Sequence, residues 1–161
     1  MSRIPRRGLG AAAPACHDPA MVAPSPSLRV LVVDDDEDIA DMLSMAFEVN
    51  GLEVAGVAHS GAEAVQLAER TQPDIVLLDQ AMPRMSGLEA VPELHAIAPR
   101  SKVCMHSAIG APAVTESALA AGVDGYIEKG VRPRTIVAHL RRIMENGAGP
   151  VRPFPLRRDY S

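Results

Sequence analysis

No tryptophan occurs among the 161 residues, and there are two phenylalanines and two tyrosines. The core must therefore be aliphatic. No apolar run approaches the roughly 20 residues that a membrane-spanning helix needs. The two cysteines, Cys16 and Cys104, have neither the spacing of a disulfide framework nor that of a metal site. Cys104 lies inside an apolar run and reads as a small core residue. His59, His95, His106 and His139 show no ligand spacing and read as surface or helix residues. There is also no basic excess. Three arginines precede residue 28 and three follow residue 146, which leaves ten basic against eighteen acidic residues between them. An acidic body of this kind excludes direct nucleic-acid binding, which needs a basic face.

Residues 1–27 carry five prolines and no sustained periodicity, so they read as a disordered leader, with Met21 as an alternative start. Arg3, Arg6 and Arg7 ahead of Gly8–Cys16 imitate a signal peptide, but the apolar stretch is short and broken by Pro14. The chain is expected to be cytoplasmic, with no membrane association. From Leu28 onward strand-like and helix-like segments alternate. Strands are expected over 28–33, 52–57, 75–78, 101–107 and 125–128. Helices are expected over 38–50, 60–72, 88–97, 112–121 and from Pro133 to about 146. In the first helix Ile39, Met42, Leu43, Ala46 and Phe47 have the spacing of an inward face. In the second, Ala62, Val65, Leu67 and Ala68 do, and Ser60 with Glu63 fits a capping box. Pro92 is tolerated only if it falls near the first turn of the third helix. The last helix carries Ile136, Val137, Leu140, Ile143 and Met144 on one stripe. Residues 147–161 read as an irregular Pro/Arg-rich tail, so the folded unit is 28–146. The fold class is α/β: a (βα)5 doubly wound parallel sheet with helices on both faces.

In such a sheet, ligand sites form at the carboxyl ends of the strands. The first strand there ends in Asp34-Asp35-Asp36, the third in Asp79, the fourth in Ser107 and the fifth in Lys129. Crowded carboxylates raise one another's pKa unless a cation neutralises them, and hard oxygen ligands suit Mg2+. Together these positions offer a carboxylate nucleophile, acidic metal ligands, a hydroxyl and an ammonium, which is what forming an acyl phosphate requires. Asp36, Glu37, Asp38 and Asp41 read instead as a solvated first turn favoured by the helix dipole.

Over roughly 28–144 the chain resembles the receiver domains of two-component response regulators, the CheY-like superfamily, in an apparently stand-alone form. The resemblance is carried by Val32-Val33-Asp34-Asp35, Leu78-Asp79-Gln80-Ala81-Met82-Pro83-Arg84-Met85-Ser86-Gly87, His106-Ser107-Ala108 and Gly125-Tyr126-Ile127-Glu128-Lys129. It implies a flavodoxin-like strand order 2-1-3-4-5 and a phosphoacceptor, Asp79, that takes its phosphoryl group from a sensor histidine kinase or phosphotransfer protein. Asp35, Asp79 and the backbone carbonyl of Ala81 would ligate Mg2+, with Asp34 acting through water. Ser107 would move to the new phosphoryl group, Tyr126 would swing inward behind it, and Lys129 would pair with Asp79 and then with the phosphate. Two positions depart from the pattern: Gly130 follows Lys129 where proline is frequent, and Ala81 stands where a polar side chain is frequent. The first resembles receivers joined to helix-turn-helix regulators, and the second bears on the dephosphorylation rate.

The resemblance implies a signalling module, not a turnover enzyme, that remodels a face of helix 4, strand 5 and helix 5 for a downstream protein. Phosphorylation could also pair two copies. Three alternatives stand beside it. The chain could be the receiver part of a transcription regulator without its DNA-binding effector, or a docking scaffold that works without phosphorylation. The third is a Mg2+-dependent phosphatase with an Asp nucleophile, against which Ala81 counts, since such enzymes place a second Asp there.

Overall fold

The computed structural model describes residues 26–108 and 112–146. The expected leader, apart from Pro26 and Ser27, and the expected tail lie outside the described residues. Ten elements alternate: β1 (Arg29–Val33), α1 (Glu37–Val49), β2 (Glu53–Ala58), α2 (Gly61–Thr71), β3 (Ile75–Asp79), α3 (Gly87–Ile97), β4 (Lys102–Ser107), α4 (Pro112–Ala120), β5 (Gly125–Glu128) and α5 (Pro133–Asn146). The strands form one sheet in the order β2-β1-β3-β4-β5, and every pairing is parallel.

Two-residue alternation along each strand divides the core into two layers. Val30, Val32, Ile75, Leu77, Cys104 and Ile127 pack against Leu43 and Phe47 of α1 and Ile136 and Leu140 of α5. Leu31, Val33, Val76, Leu78, Val103, Met105 and Tyr126 pack against α2, α3 and α4 through Ala64, Ala68, Val91, Leu94 and Ala118. A sheet covered on both faces explains why its inner strands read as unbroken apolar runs. Cys104 is fully buried and reduced, as a core residue.

Several local expectations shift. The inward stripe of α1 is Ala40, Leu43 and Phe47, whereas Met42 faces solvent. Both faces of this helix carry apolar residues, so periodicity alone does not choose between them. In α2 the buried residues are Gly61, Ala64 and Ala68, and Ala62 is exposed. Ser60 caps α2 by accepting from Glu63 N, but the Glu63 carboxylate reaches past it to His59 N at 2.8 Å, so the reciprocal box does not close. The closed box is at α3, where Ser86 N donates to Glu89 Oε2 at 2.7 Å and Glu89 N donates to Ser86 Oγ. α3 starts at Gly87, which makes Pro92 its sixth residue, in the second turn. The missing N–H there costs the bond to the Leu88 carbonyl, and the helix continues because its buried face is anchored by Ala90, Val91 and Leu94.

The turn from β3 into α3 is tight. Gly87 N donates to Gln80 O at 3.0 Å, and a Cβ on Gly87 would overlap the Asp79 carbonyl oxygen and lie 3.0 Å from Gln80 Cα. At Gly125 the obstacle is the movable end of the Ile143 side chain. We expect Gly87→Ala to destabilise by roughly 1–3 kcal/mol, the usual cost of overpacking against atoms that cannot yield. Gly125→Ala should cost less, since Ile143 can change rotamer. Denaturant midpoints of the two variants measure this, and the opposite ranking would refute the close approach at Gly87.

Candidate functional site

The acids at the end of β1 have three different fates, each set by local backbone geometry. Asp36 is the N-cap of α1, its carboxylate accepting from Asp38 N at 3.0 Å and Ile39 N at 3.2 Å. It is therefore part of the helix start, along with the exposed acids that follow it. Asp35 is exposed. Asp34 continues β1 by donating its N–H to Ala58 O, and its carboxylate turns into the protein, with 1% of the residue exposed. Its Oδ1 accepts from Asp36 N at 3.0 Å, and its backbone carbonyl accepts from His59 Nδ1 at 3.0 Å.

Asp79 ends β3, buried to the same extent as Asp34. Ala81 N donates to its Oδ1 at 3.2 Å. Lys129 follows β5 and is tied to β4 by Lys129 N donating to Ser107 O at 2.7 Å. Its ammonium lies 3.0 Å from Asp34 Oδ2 and 3.2 Å from Asp79 Oδ1, joining the first, third and fifth strands. Asp34, Asp35 and Asp79 each offer a carboxylate oxygen, all within 4.8 Å of one another. Three hard anionic oxygens at that separation fit a Mg2+ or Ca2+ ion.

Electrostatics sharpen this. Burial, with the charge of Asp34, pushes the Asp79 carboxyl up to about 6 against the pull of Lys129 and the Ala81 N–H. Burial also works against the Lys129 ammonium, but the hydrogen bonds and charges of Asp34 and Asp79 outweigh it and raise its pKa. One cation is thus shared between two buried carboxylates. That leaves negative charge uncompensated, the condition under which a divalent ion binds.

The other expected positions fall around this pocket. Ser107 ends β4, buried, and Tyr126 on β5 is already buried in the α2/α3/α4 layer, so it is found inward from the outset. Ala81 contributes its amide to Asp79, and its side chain is exposed. Two histidines corrected by the structure lie beside the pocket. His106 is a buried strand residue that pairs in register with Asp79, and His59 holds the Asp34 carbonyl. A signal was available for His59, which follows β2 as Lys129 follows β5; the place of His106 beside Asp79 depends on strand register. His95 and His139 do lie on helices, His95 bonding the Gly122 carbonyl at 2.9 Å.

A model of the response regulator receiver domain family matches residues 30–141. The chain is 38% identical over 115 residues to the chemotaxis protein CheY of Thermotoga maritima, covering 71% of this chain and 96% of that protein. It is 36% identical over 118 residues to the transcriptional regulatory protein PrrA of Mycobacterium leprae, covering 73% of this chain but 50% of that protein. It therefore spans nearly all of one curated relative and about half the length of another. Among solved structures, a CheX–CheY–BeF3–Mg2+ complex from Borrelia burgdorferi aligns with a TM-score of 0.68 at 26% identity, over 72% of this chain and 88% of that one. Receiver domains are signalling domains of two-component systems rather than turnover enzymes. With its strand order, its acidic strand ends and its bridging lysine, this chain belongs to the response regulator receiver domain family.

Proposed function

We propose that Asp79 accepts a phosphoryl group from a sensor histidine kinase or phosphotransfer protein and that the charge it acquires switches a protein-binding face. The observation that carries this reading is the convergence on Asp79 of a strand-end lysine, 3.2 Å away, and two further carboxylates within ligand reach. An oxygen of Asp79 attacks phosphorus, the bond from phosphorus to the donor imidazole nitrogen breaks, and that nitrogen keeps the electron pair. Mg2+ held by Asp35, Asp79 and the Ala81 carbonyl, with Asp34 acting through water, would neutralise charge building on the phosphoryl oxygens. The Borrelia relative crystallised with BeF3 and Mg2+ supports both the ion and the acceptor role.

The chain's own groups take the remaining tasks. Lys129 holds Asp79 in place and then pairs with a phosphoryl oxygen, while the Ser107 hydroxyl donates to another. Converting a buried carboxylate into an acyl phosphate replaces about one negative charge with about two and adds acceptor oxygens, a demand for donors that β4 and β5 meet by shifting together. Tyr126 lies three residues before Lys129, in register with Met105, which is two residues before Ser107. The surface of α4, β5 and α5, where Leu119 is 44% exposed, is the proposed docking face for a downstream protein. The half-length match to PrrA favours a second reading, in which this receiver serves a transcription regulator. Both readings use the same acceptor.

Asp79→Asn should abolish Mg2+-dependent incorporation from acetyl phosphate while the thermal unfolding profile stays cooperative. Label retained by that variant would overturn the acceptor assignment. A second expectation concerns pH. The Asp79 carboxyl titrates near 6 when folded and near 3.8 as an ordinary carboxyl, so between these values the folded state binds the extra proton. This group's contribution to stability therefore falls as pH rises through that window. A divalent ion takes the proton's place above it, so Mg2+ should raise Tm more at about pH 7.5 than at about pH 5. Equal increments at both pH values would count against ligation by Asp79.

A further inference from the structure

Lys129 and Asp79 lie on strands that are not neighbours. β4 runs between β3 and β5, and adjacent strands are about 4.8 Å apart, so the Lys129 and Asp79 side chains together bridge roughly 10 Å across β4 to meet. Register decides what it crosses. Asp79 pairs with His106, and His106 pairs with Ile127. Paired residues on neighbouring strands present their side chains to the same face, here the α1/α5 face, where Ile127 packs. Lys129, two residues beyond Ile127, falls on that face as well. The β4 side chain beneath the lysine stem is therefore His106, of which 5% is exposed.

We propose that His106 is a positioning residue for Lys129: its uncharged ring forms the ridge of β4 over which the lysine stem passes, and so holds the ammonium against Asp79 and Asp34. Three observations support this. The ring is too buried to serve as a surface polar group. Burial, reinforced by the Lys129 ammonium, pushes its pKa down to about 4, so it adds no second cation beside the first. Lys129 is also fixed at its backbone, through Ser107 O on the same strand as His106, which leaves only the stem to be guided. Held this way, the ammonium sits ready for the phosphoryl group without having to be ordered at the moment of transfer.

The rate measurement rests on Asp79 being the acceptor; the structural measurement does not. In a crystal structure of His106→Ala, we expect the Lys129 ammonium to leave Asp79, while His106→Leu, which refills the space without a charge, should retain the contact. His106→Ala should slow uptake from acetyl phosphate by up to about a hundredfold, the order of loss that follows a misplaced catalytic group. Mg2+ affinity should not fall, since no ligand is removed and the ammonium that competes for Asp34 and Asp79 moves away, and His106→Leu should restore most of the rate. In a Lys129→Ala background, replacing His106 should have no further effect on the rate, because a double-mutant cycle isolates the coupling between the two residues. An unmoved ammonium in His106→Ala, or an equal rate loss with and without Lys129, would overturn the proposal. If the wild-type protein takes up no phosphoryl group, the acceptor reading fails, and the position of the ammonium in His106→Ala still decides the role of His106.

Discussion

One ammonium shared by two buried carboxylates organises the carboxyl edge of this sheet. Asp34 and Asp79 are almost entirely withdrawn from water, and each would be costly there alone. Lys129 makes the arrangement tolerable but does not balance it, and the raised pKa of Asp79 is the mark of what remains. A site left short of positive charge attracts a divalent ion. It can also add a further dianionic group only if its cations and donors rearrange. The same electrostatic shortfall thus underlies both the proposed metal and the proposed switch.

The rest of the fold serves to place these groups. Alternation along three parallel strands gives each apolar run a residue for both core layers, and the polar residue that ends the run inherits a defined side. The Asp34-Asp35-Asp36 run shows how fine the control is. One carboxylate is buried in the pocket, one stands exposed at its mouth, and one starts α1, because the chain changes from strand to helix within three residues. On the far side of Asp79, the approach of Gly87 to the Asp79 backbone and the capping box of α3 hold the turn that follows it. Asp79 is thereby fixed at its backbone as well as at its side chain.

Membership of the receiver family gives these contacts a direction. Lys129 is bonded through its backbone to Ser107, so the cation that follows the fifth strand and the hydroxyl of the fourth are mechanically joined. Tyr126 is already packed in the core next to this junction. In the proposed cycle the change on phosphorylation is then a small displacement of two joined strand ends, passed to the helices that flank them, and needs no large rearrangement of the sheet. His106 would keep the unphosphorylated pocket ordered from below.

Much of this was legible in the chain. The order of elements, the parallel sheet, the apolar runs and the polar residues at their carboxyl ends follow from periodicity and turn chemistry, which are local properties. For that reason Asp34, Asp79, Ser107 and Lys129 could be named before any coordinates. The inward face of α1, the position of the closed capping box and the burial of His106 could not. α1 has apolar residues on more than one face, and which of them are covered depends on how the helix lies on β1 and β2. Glu63 and Glu89 look alike in sequence, yet only Glu89 closes its box, because the chain enters α2 and α3 at different angles. His106 came to lie beside Asp79 only through the register of β3 against β4. Local sequence determined which chemical groups arrive at the sheet edge; the distances among them, and hence their charge states, were decided by tertiary packing, since the residues that interact are separated by up to 95 positions in the chain.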